Sequence, residues 1–377
     1  MDAVKARMKT PDGTQIVHPL TTAEQVDGLD DAINSAIEGA SSVVYVSGKA
    51  TFFDRPDVFS SNKTTITIPT GTAFRVGDRS YVLTSDRTID VGSTVSASIR
   101  AGKDVYLYGV TNPDATSTEP VFVISMNSTV PTGYDSNNSR KLGGFHCLCV
   151  AVGSISNHPL SGYVEGDILP ASRWDLKHRP VSEPEGMVYD EQINRWVDIY
   201  FVSYSEGELV SVYGGVTADG ASTPKFHPMK FGQYLGQVKK FMPNLYEFMS
   251  FSHGSNQGTS IVGSADANTT GGHKDTGGRR MISDIGCEDC CGFLDQWSRD
   301  RGGPYGAASW TNDYDNNDDS DIKGSGYNMP NCELLGGSWS GSSLCGSRCS
   351  LWSCGPLYLR APHGARGLAE PRVSVDE

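Results

Sequence analysis

Between residues 41 and 152 the apolar positions fall in short runs rather than at helical spacing. Val43-Val44-Tyr45-Val46, Thr65-Ile66-Thr67-Ile68, Ala73-Phe74-Arg75-Val76, Tyr81-Val82-Leu83, Val105-Tyr106-Leu107-Tyr108 and Val121-Phe122-Val123-Ile124 are rich in β-branched and aromatic residues, and Gly, Pro, Asp and Asn separate them. Short strands punctuated this way predict an antiparallel sandwich or barrel. A further run from Phe145 to Val152 predicts a strand with Cys147 and Cys149 on one face, as core thiols. Upstream the period changes. Val26, Leu29, Ile33 and Ile37 recur at spacings of three and four, which predicts one helix. Thr22 and Gln25 fit a capping box at its start, and Gly39 ends it. So short a helix is marginal alone in water. Its stripe packs either on its own domain or on copies of itself about a symmetry axis. Residues 1–20 read as extended, with turn chemistry at Pro11-Asp12-Gly13.

Residues 153–168 are polar and loop-like. From Ser172-Arg173-Trp174-Asp175 onward, aromatics, glycines and aspartates mix and the strands shorten. Trp196 to Val202 predicts a strand, Gln233 to Phe241 a helix, and Pro243-Asn244-Leu245 the start of another. Long loops are expected over 252–280 and 302–330, and loops of that length are usually functional or disordered. The last fifty residues carry no period of 2 or 3.6. Gly336-Gly337-Ser338-Trp339, Gly346-Ser347-Arg348, Trp352, Gly355-Pro356 and Gly364-Ala365-Arg366-Gly367 recur as small, aromatic and arginine anchors, and the residues between them share no chemistry. That is the footprint of a rigid frame presenting a binding surface. Trp339 and Trp352 are expected as core anchors, and Arg348 and Arg366 as forks that tie loop carbonyls together.

Composition narrows the class. The formal net charge is -13, against the basic face that nucleic acid requires. No stretch is long and apolar enough for a membrane span, and the first residues lack the apolar core of a signal peptide. Synthesis in a bacterial cytoplasm, without membrane insertion, is the expectation. Nine cysteines is an odd number, so thiols are expected over a fully paired framework.

Three constellations could carry chemistry. Cys287-Glu288-Asp289-Cys290-Cys291 holds one CxxC but no second pair for zinc. Asp313, Asp315, Asp318, Asp319 and Asp321 form a carboxylate run without the spacing of an EF-hand; a solvated loop is favoured, with a structural calcium as the alternative. Cys345, Cys349 and Cys354 crowd the C-terminal stretch.

The anchors of the last fifty residues resemble the variable region of the major tropism determinant family, receptor-binding proteins of phage tail fibres diversified by retroelements. Pro131-Thr132-Gly133-Tyr134, Gly143-Gly144-Phe145-His146, Trp174-Asp175 and Arg179-Pro180 resemble the family's inter-domain region, and Pro243-Asn244 with Glu247-Phe248 its helix. The resemblance implies a mixed, β-rich (α+β) fold. An attachment or trimerisation segment would occupy 1–40, a β-sandwich-like domain 41–165, and a C-type lectin fold of the formylglycine-generating-enzyme subtype 166–377. Gly292 to Asp300 is similar to that subtype's core motif at Trp297 and Asp300 and departs from it between.

The resemblance also implies a homotrimer on the virion's tail fibre, bound to other tail-fibre proteins and to a host cell-surface protein or glycan. Within 336–367 the diversified, ligand-binding positions carry over to Ser338, Ser340, Gly341, Ser342, Leu344, Leu351, Ser353, Cys354, Tyr358, Arg360, Pro362 and His363. Randomising the first two bases of an Asn codon never yields Lys, Glu, Gln, Met or Trp, and none of these residues is one of those. Tyr358, Arg360 and His363 are expected on one solvent-facing patch, with Leu357, Leu359 and Ala361 facing inward as in a strand. Two alternatives stand beside this reading. One is a cysteine oxidase of the formylglycine-generating type, using the C-terminal cysteines; the other is a variable protein displayed on a bacterial surface.

Overall fold

A computed structural model describes residues 63–304 and 326–372, with short strands at Ala6–Thr10, Gly13–Val17 and Trp310–Thr311. The helix expected over 22–39, the run Val43–Val46 and the aspartates between 313 and 321 lie outside the described residues. The two N-terminal strands pair antiparallel, with Thr10 opposite Gly13.

In the first half, Thr65–Ile68 pairs with Arg87–Asp90 and Ala73–Val76 with Arg79–Val82. A four-stranded antiparallel sheet follows, in the order Trp174–Asp175, Ser139–His146, Asp104–Val110, Val121–Ser125. Ile66, Ile68, Phe74, Val76 and Tyr81 from the pairs meet Val105, Leu107, Leu142 and Phe145 from the sheet in one apolar core. The alternation of Thr65–Ile68 is the reason: both isoleucines are buried while the threonines are only half-buried. Trp174–Asp175 belongs to this sheet, past the division expected at 165/166. The strand expected over 145–152 is different. It ends at His146, after which Leu148 N–H bonds Asp167 O at 2.7 Å. Cys147 and Cys149 are buried thiols, but in two different cores.

In the second half, Met187–Asp190, Arg195–Asp198 and Leu368–Ala369 form one sheet. Another runs Ser350–Cys354, Pro330–Leu335, Asp295–Pro304, His363–Gly364, antiparallel except for its last pair. The strand expected over 196–202 stops at Asp198, although every residue to Val202 is buried. Its carbonyls find another partner: Arg366, fully buried, donates to Asp198 O at 2.6 Å and Ile199 O at 2.5 Å.

The helix expected at 233–241 is Pro228–Gln237. His227 caps it by accepting from Lys230 N–H, and Pro228 fits a first turn, where its missing N–H costs nothing. The next helix, Leu245–Phe251, opens with Asn244 and Glu247 in a reciprocal capping box.

Candidate functional site

The stretch 336–367 is held mainly by its own main chain. Gly336 and Gly337 sit at φ 84° and 81°, the left-handed region that favours glycine. A Cβ would lie 2.5 Å from Cys290 O at the first and 2.9 Å from Cys345 Sγ at the second. Beyond them Trp339 N–H bonds Phe293 O at 2.8 Å, Gly346 N–H bonds Gly336 O at 3.1 Å, and Gly258 N–H bonds Cys345 O at 2.7 Å. The loop 355–362 is tied the same way. Asp295 N–H bonds Pro362 O at 2.7 Å, and Gly220 N–H bonds Arg360 O at 3.3 Å. Gly220 is pressed so close that a Cβ would meet Arg360 N at 2.2 Å. None of these contacts uses the side chain of Leu344, Tyr358 or Arg360.

The carried-over positions divide by exposure. Ser340, Ser342, Leu344, Leu351, Ser353 and Arg360 are exposed, Leu344 at 77% and Leu351 at 43%. Gly341, Tyr358 and Pro362 are half-buried, while Ser338, Cys354 and His363 are buried. Tyr358, Arg360 and His363 do come together: the two rings are 5.5 Å apart and the guanidinium lies 5.2 Å from the Tyr358 ring. Only Arg360 faces solvent fully. The strand-like alternation expected over 357–362 is corrected to a turn and loop, with Tyr358 packed on the core beside Trp297.

Two anchors also need correction. Trp339, expected in the core, is half-buried at the margin of the cluster that holds Phe201 and Phe293. Trp352 is 40% exposed on the edge strand Ser350–Cys354, its ring against Gly302. It adds to the surface, and no periodic signal could have separated it from a core tryptophan. Arg366 is a carbonyl tie, which also donates to Glu288 O and to Gln296 Oε1 at 3.2 Å; Arg348 is exposed.

Beneath the surface, Asp295 and His363 face each other, Oδ2 to Nε2, at 3.8 Å. They are not an ion pair. Burial pushes the Asp295 carboxyl up to about 6 against the pull of Ser338 hydrogen bonds. Burial, then the Arg360 charge, pushes His363 down to about 4. Both shifts favour the neutral forms, so between the two values the pair is mainly a neutral carboxyl facing a neutral imidazole. His363 Nδ1 is buried with no hydrogen-bond partner.

The other constellations carry less. Burial pushes the Cys345 thiol up to about 11 and raises Cys349 and Cys354, so at neutral pH the thiolate is scarce and any reaction at these sulfurs is slow. Cys287, Cys290 and Cys291 are wholly buried, beside a closed pair in which Arg280 donates to both Glu288 oxygens at 2.6 and 2.8 Å. Among the described residues there is no group of three His, Cys, Asp or Glu placed to hold a metal, and no helix long and apolar enough to cross a membrane. A cleft of about 390 Å³ lined by Asp104, Glu185, Ser211, Lys239 and Lys240 shares no residue with 336–367.

A main chain fixed by main-chain contacts, with exposed side chains of mixed chemistry hung on it, defines a β-rich ligand-binding protein. The model of the Mtd second domain matches residues 57–175. The tail fiber receptor-binding protein of Bordetella phage BPP-1 is 31% identical over 331 residues, covering 81% of this chain and 80% of that protein. The chain belongs to the major tropism determinant family of phage tail-fibre proteins. Among solved structures it resembles the Major Tropism Determinant M1 variant, at a TM-score of 0.73 and 26% identity, over 90% of this chain and 87% of that one. The I1 variant matches at 0.72 and 27% identity, over 90% and 88%.

Proposed function

We propose that this chain is the receptor-binding, tropism-determining protein at the tip of a phage or prophage tail fibre. The observation that carries the reading is the frame itself. Loop 355–362 is fixed by main-chain bonds to residues 220 and 295, so the side chains it presents can be exchanged without moving it. On this reading residues 166–377 form a C-type lectin fold that follows a β-sandwich-like domain. Retroelement mutagenesis diversifies the twelve positions between Ser338 and His363. The exposed ones, together with Trp352, contact a host surface protein or glycan. Leu344, Leu351 and Trp352 are large apolar side chains left in water within this stretch, available to a partner.

The chain works as a homotrimer in the virion. Each face is small, so adsorption strength comes from several faces engaging together. Light scattering in dilute buffer tests the assembly: three chains are expected, and a monomer at micromolar concentration removes the avidity argument. An exchange tests the surface. Replacing Ser340, Ser342, Leu344, Leu351, Ser353 and Arg360 together with a different set should change which bacteria the particle adsorbs to. Unchanged adsorption by a folded protein places binding elsewhere.

A further inference from the structure

The cysteines of the C-terminal sheet are arranged more specifically than a scatter of core thiols. Cys332 lies on Pro330–Leu335 and Cys354 ends the edge strand Ser350–Cys354. The two are register partners across that antiparallel pair. Residues directly opposite each other have Cα atoms about 4.5 or 5.5 Å apart, depending on the hydrogen-bonding phase. Either spacing falls inside the roughly 4.4–6.8 Å that a disulfide spans. The register shifts at a bulge between Cys332 and Leu334, and both cysteines are buried in the same apolar cluster as Trp297 and Leu334. Both are free thiols in this structure.

We propose that Cys332 and Cys354 are an oxidisable pair that closes a cross-strand disulfide once the protein leaves a reducing cytoplasm. The oxidant is a hydroperoxide, small enough to reach Cys354, which keeps 6% of its surface while Cys332 keeps none. The Cys354 sulfur attacks the peroxide, forming a sulfenic acid and releasing one water. The Cys332 sulfur then displaces the hydroxyl as a second water. Two thiols and one hydrogen peroxide give one disulfide and two waters. Burial raises both thiols, Cys332 to about 11, so the thiolate is scarce and the closure is slow. Its consequence is mechanical. The edge strand carrying Leu351, Trp352 and Ser353 is stapled to its neighbour, and a surface fixed beforehand loses less freedom on binding. The pairing is independent of what that surface binds.

The test uses the full chain treated with hydrogen peroxide, its remaining thiols alkylated, and digestion after denaturation. Cleavage after Glu333 separates Cys332 from Cys345, and a Cys349→Ser background removes the neighbour of Cys354 in its tryptic peptide. The expected product joins the Cys332 and Cys354 peptides, with a loss of about 2 Da against the two free thiols. The melting midpoint should rise on oxidation in wild type and Cys349→Ser, and stay put in Cys354→Ser. Alkylation of both thiols after oxidation overturns the proposal. So does a Cys345–Cys349 bridge in its place, or an equal rise in Cys354→Ser.

Discussion

Asp295→Asn should stabilise this protein at neutral pH, which is unusual for a change at a buried, hydrogen-bonded residue. The carboxyl is pushed from its ordinary 3.8 up to about 6, chiefly by burial. A folded-state value above the unfolded one means the native protein holds the proton more tightly. That contribution is complete below the unfolded value, and it is lost as pH rises through the folded one. The rise corresponds to about 3 kcal/mol, at ~1.4 kcal/mol per pH unit. Asparagine is neutral at every pH and keeps an oxygen for the Ser338 N–H. Melts of wild type and Asp295→Asn at pH 3.5, 5, 6 and 7.5 should therefore diverge. The variant should gain nothing below about pH 4 and up to about 3 kcal/mol above pH 6. His363 does not blur the comparison. Its folded value, about 4, lies below its ordinary 6.5, so its contribution is present above 6.5 and lost as pH falls through 4, in both proteins alike. A pH-independent difference, or a variant less stable at pH 7.5, refutes the assignment of a costly buried carboxylate.

Leu344→Ala should change stability by no more than about 0.5 kcal/mol, as exposed substitutions do, whereas Trp297→Ala, fully buried, should cost about 3–5 kcal/mol in urea melts. Trp352→Ala should leave the melt near wild type and weaken adsorption to host cells. Arg366→Ala should cost about 3 kcal/mol by the same melts, because the carbonyls of Asp198, Ile199 and Glu288 each lose the guanidinium inside the core, although Ile199 O keeps the Glu288 N–H. Gly220→Ala should displace loop 355–362 and reduce adsorption with the rest of the fold retained, which amide exchange confined to that loop would show.

The strands at 65–68, 73–76, 105–110 and 121–125 are legible in the sequence because their cause is local, whereas Arg87–Asp90 and most of Ser139–His146 carry no such run. Alternation in Thr65–Ile68 buries one face, Ala73–Val76 is buried at all but Arg75, and the turns between carry their own chemistry. Where the cause is distant, the local pattern misleads. The run 196–202 is apolar enough for a strand, but a guanidinium far along the chain takes its carbonyls. The start of Pro228–Gln237 is hard to see in the sequence because its cap is a histidine and two glycines dilute its pattern. In the candidate site, the anchors Gly336, Gly337 and Arg366 were visible as residue types. Exposure was not. Trp352 and Trp339 look alike in sequence, and only the edge position of Ser350–Cys354 puts the first in water.

The division of the twelve positions limits how freely this surface could change. Exposed positions such as Leu344 and Arg360 make no contact the fold needs, so substitution there alters binding alone. Ser338, Cys354 and His363 are different, because each is built into the layer beneath. Ser338 hydrogen bonds Asp295, His363 stacks its edge against Trp297 at 5.1 Å between centroids, and Cys354 faces Cys332. A larger residue at any of the three overpacks a core that tolerates added volume poorly, at about 1–3 kcal/mol each. A charged one adds a buried charge beside Asp295. Random replacement would thus sample binding at the exposed positions and stability at the buried ones. Variants that survive should vary freely at the first group and stay small or neutral at the second. Selecting folded protein from a library randomised at all twelve, with no receptor present, would show it: bias is expected at positions 338, 354 and 363, at 341, where a Cβ would lie 2.6 Å from Cys345 Sγ, and at 358, packed on the core, whereas equal bias at 344 and 360 would contradict the frame.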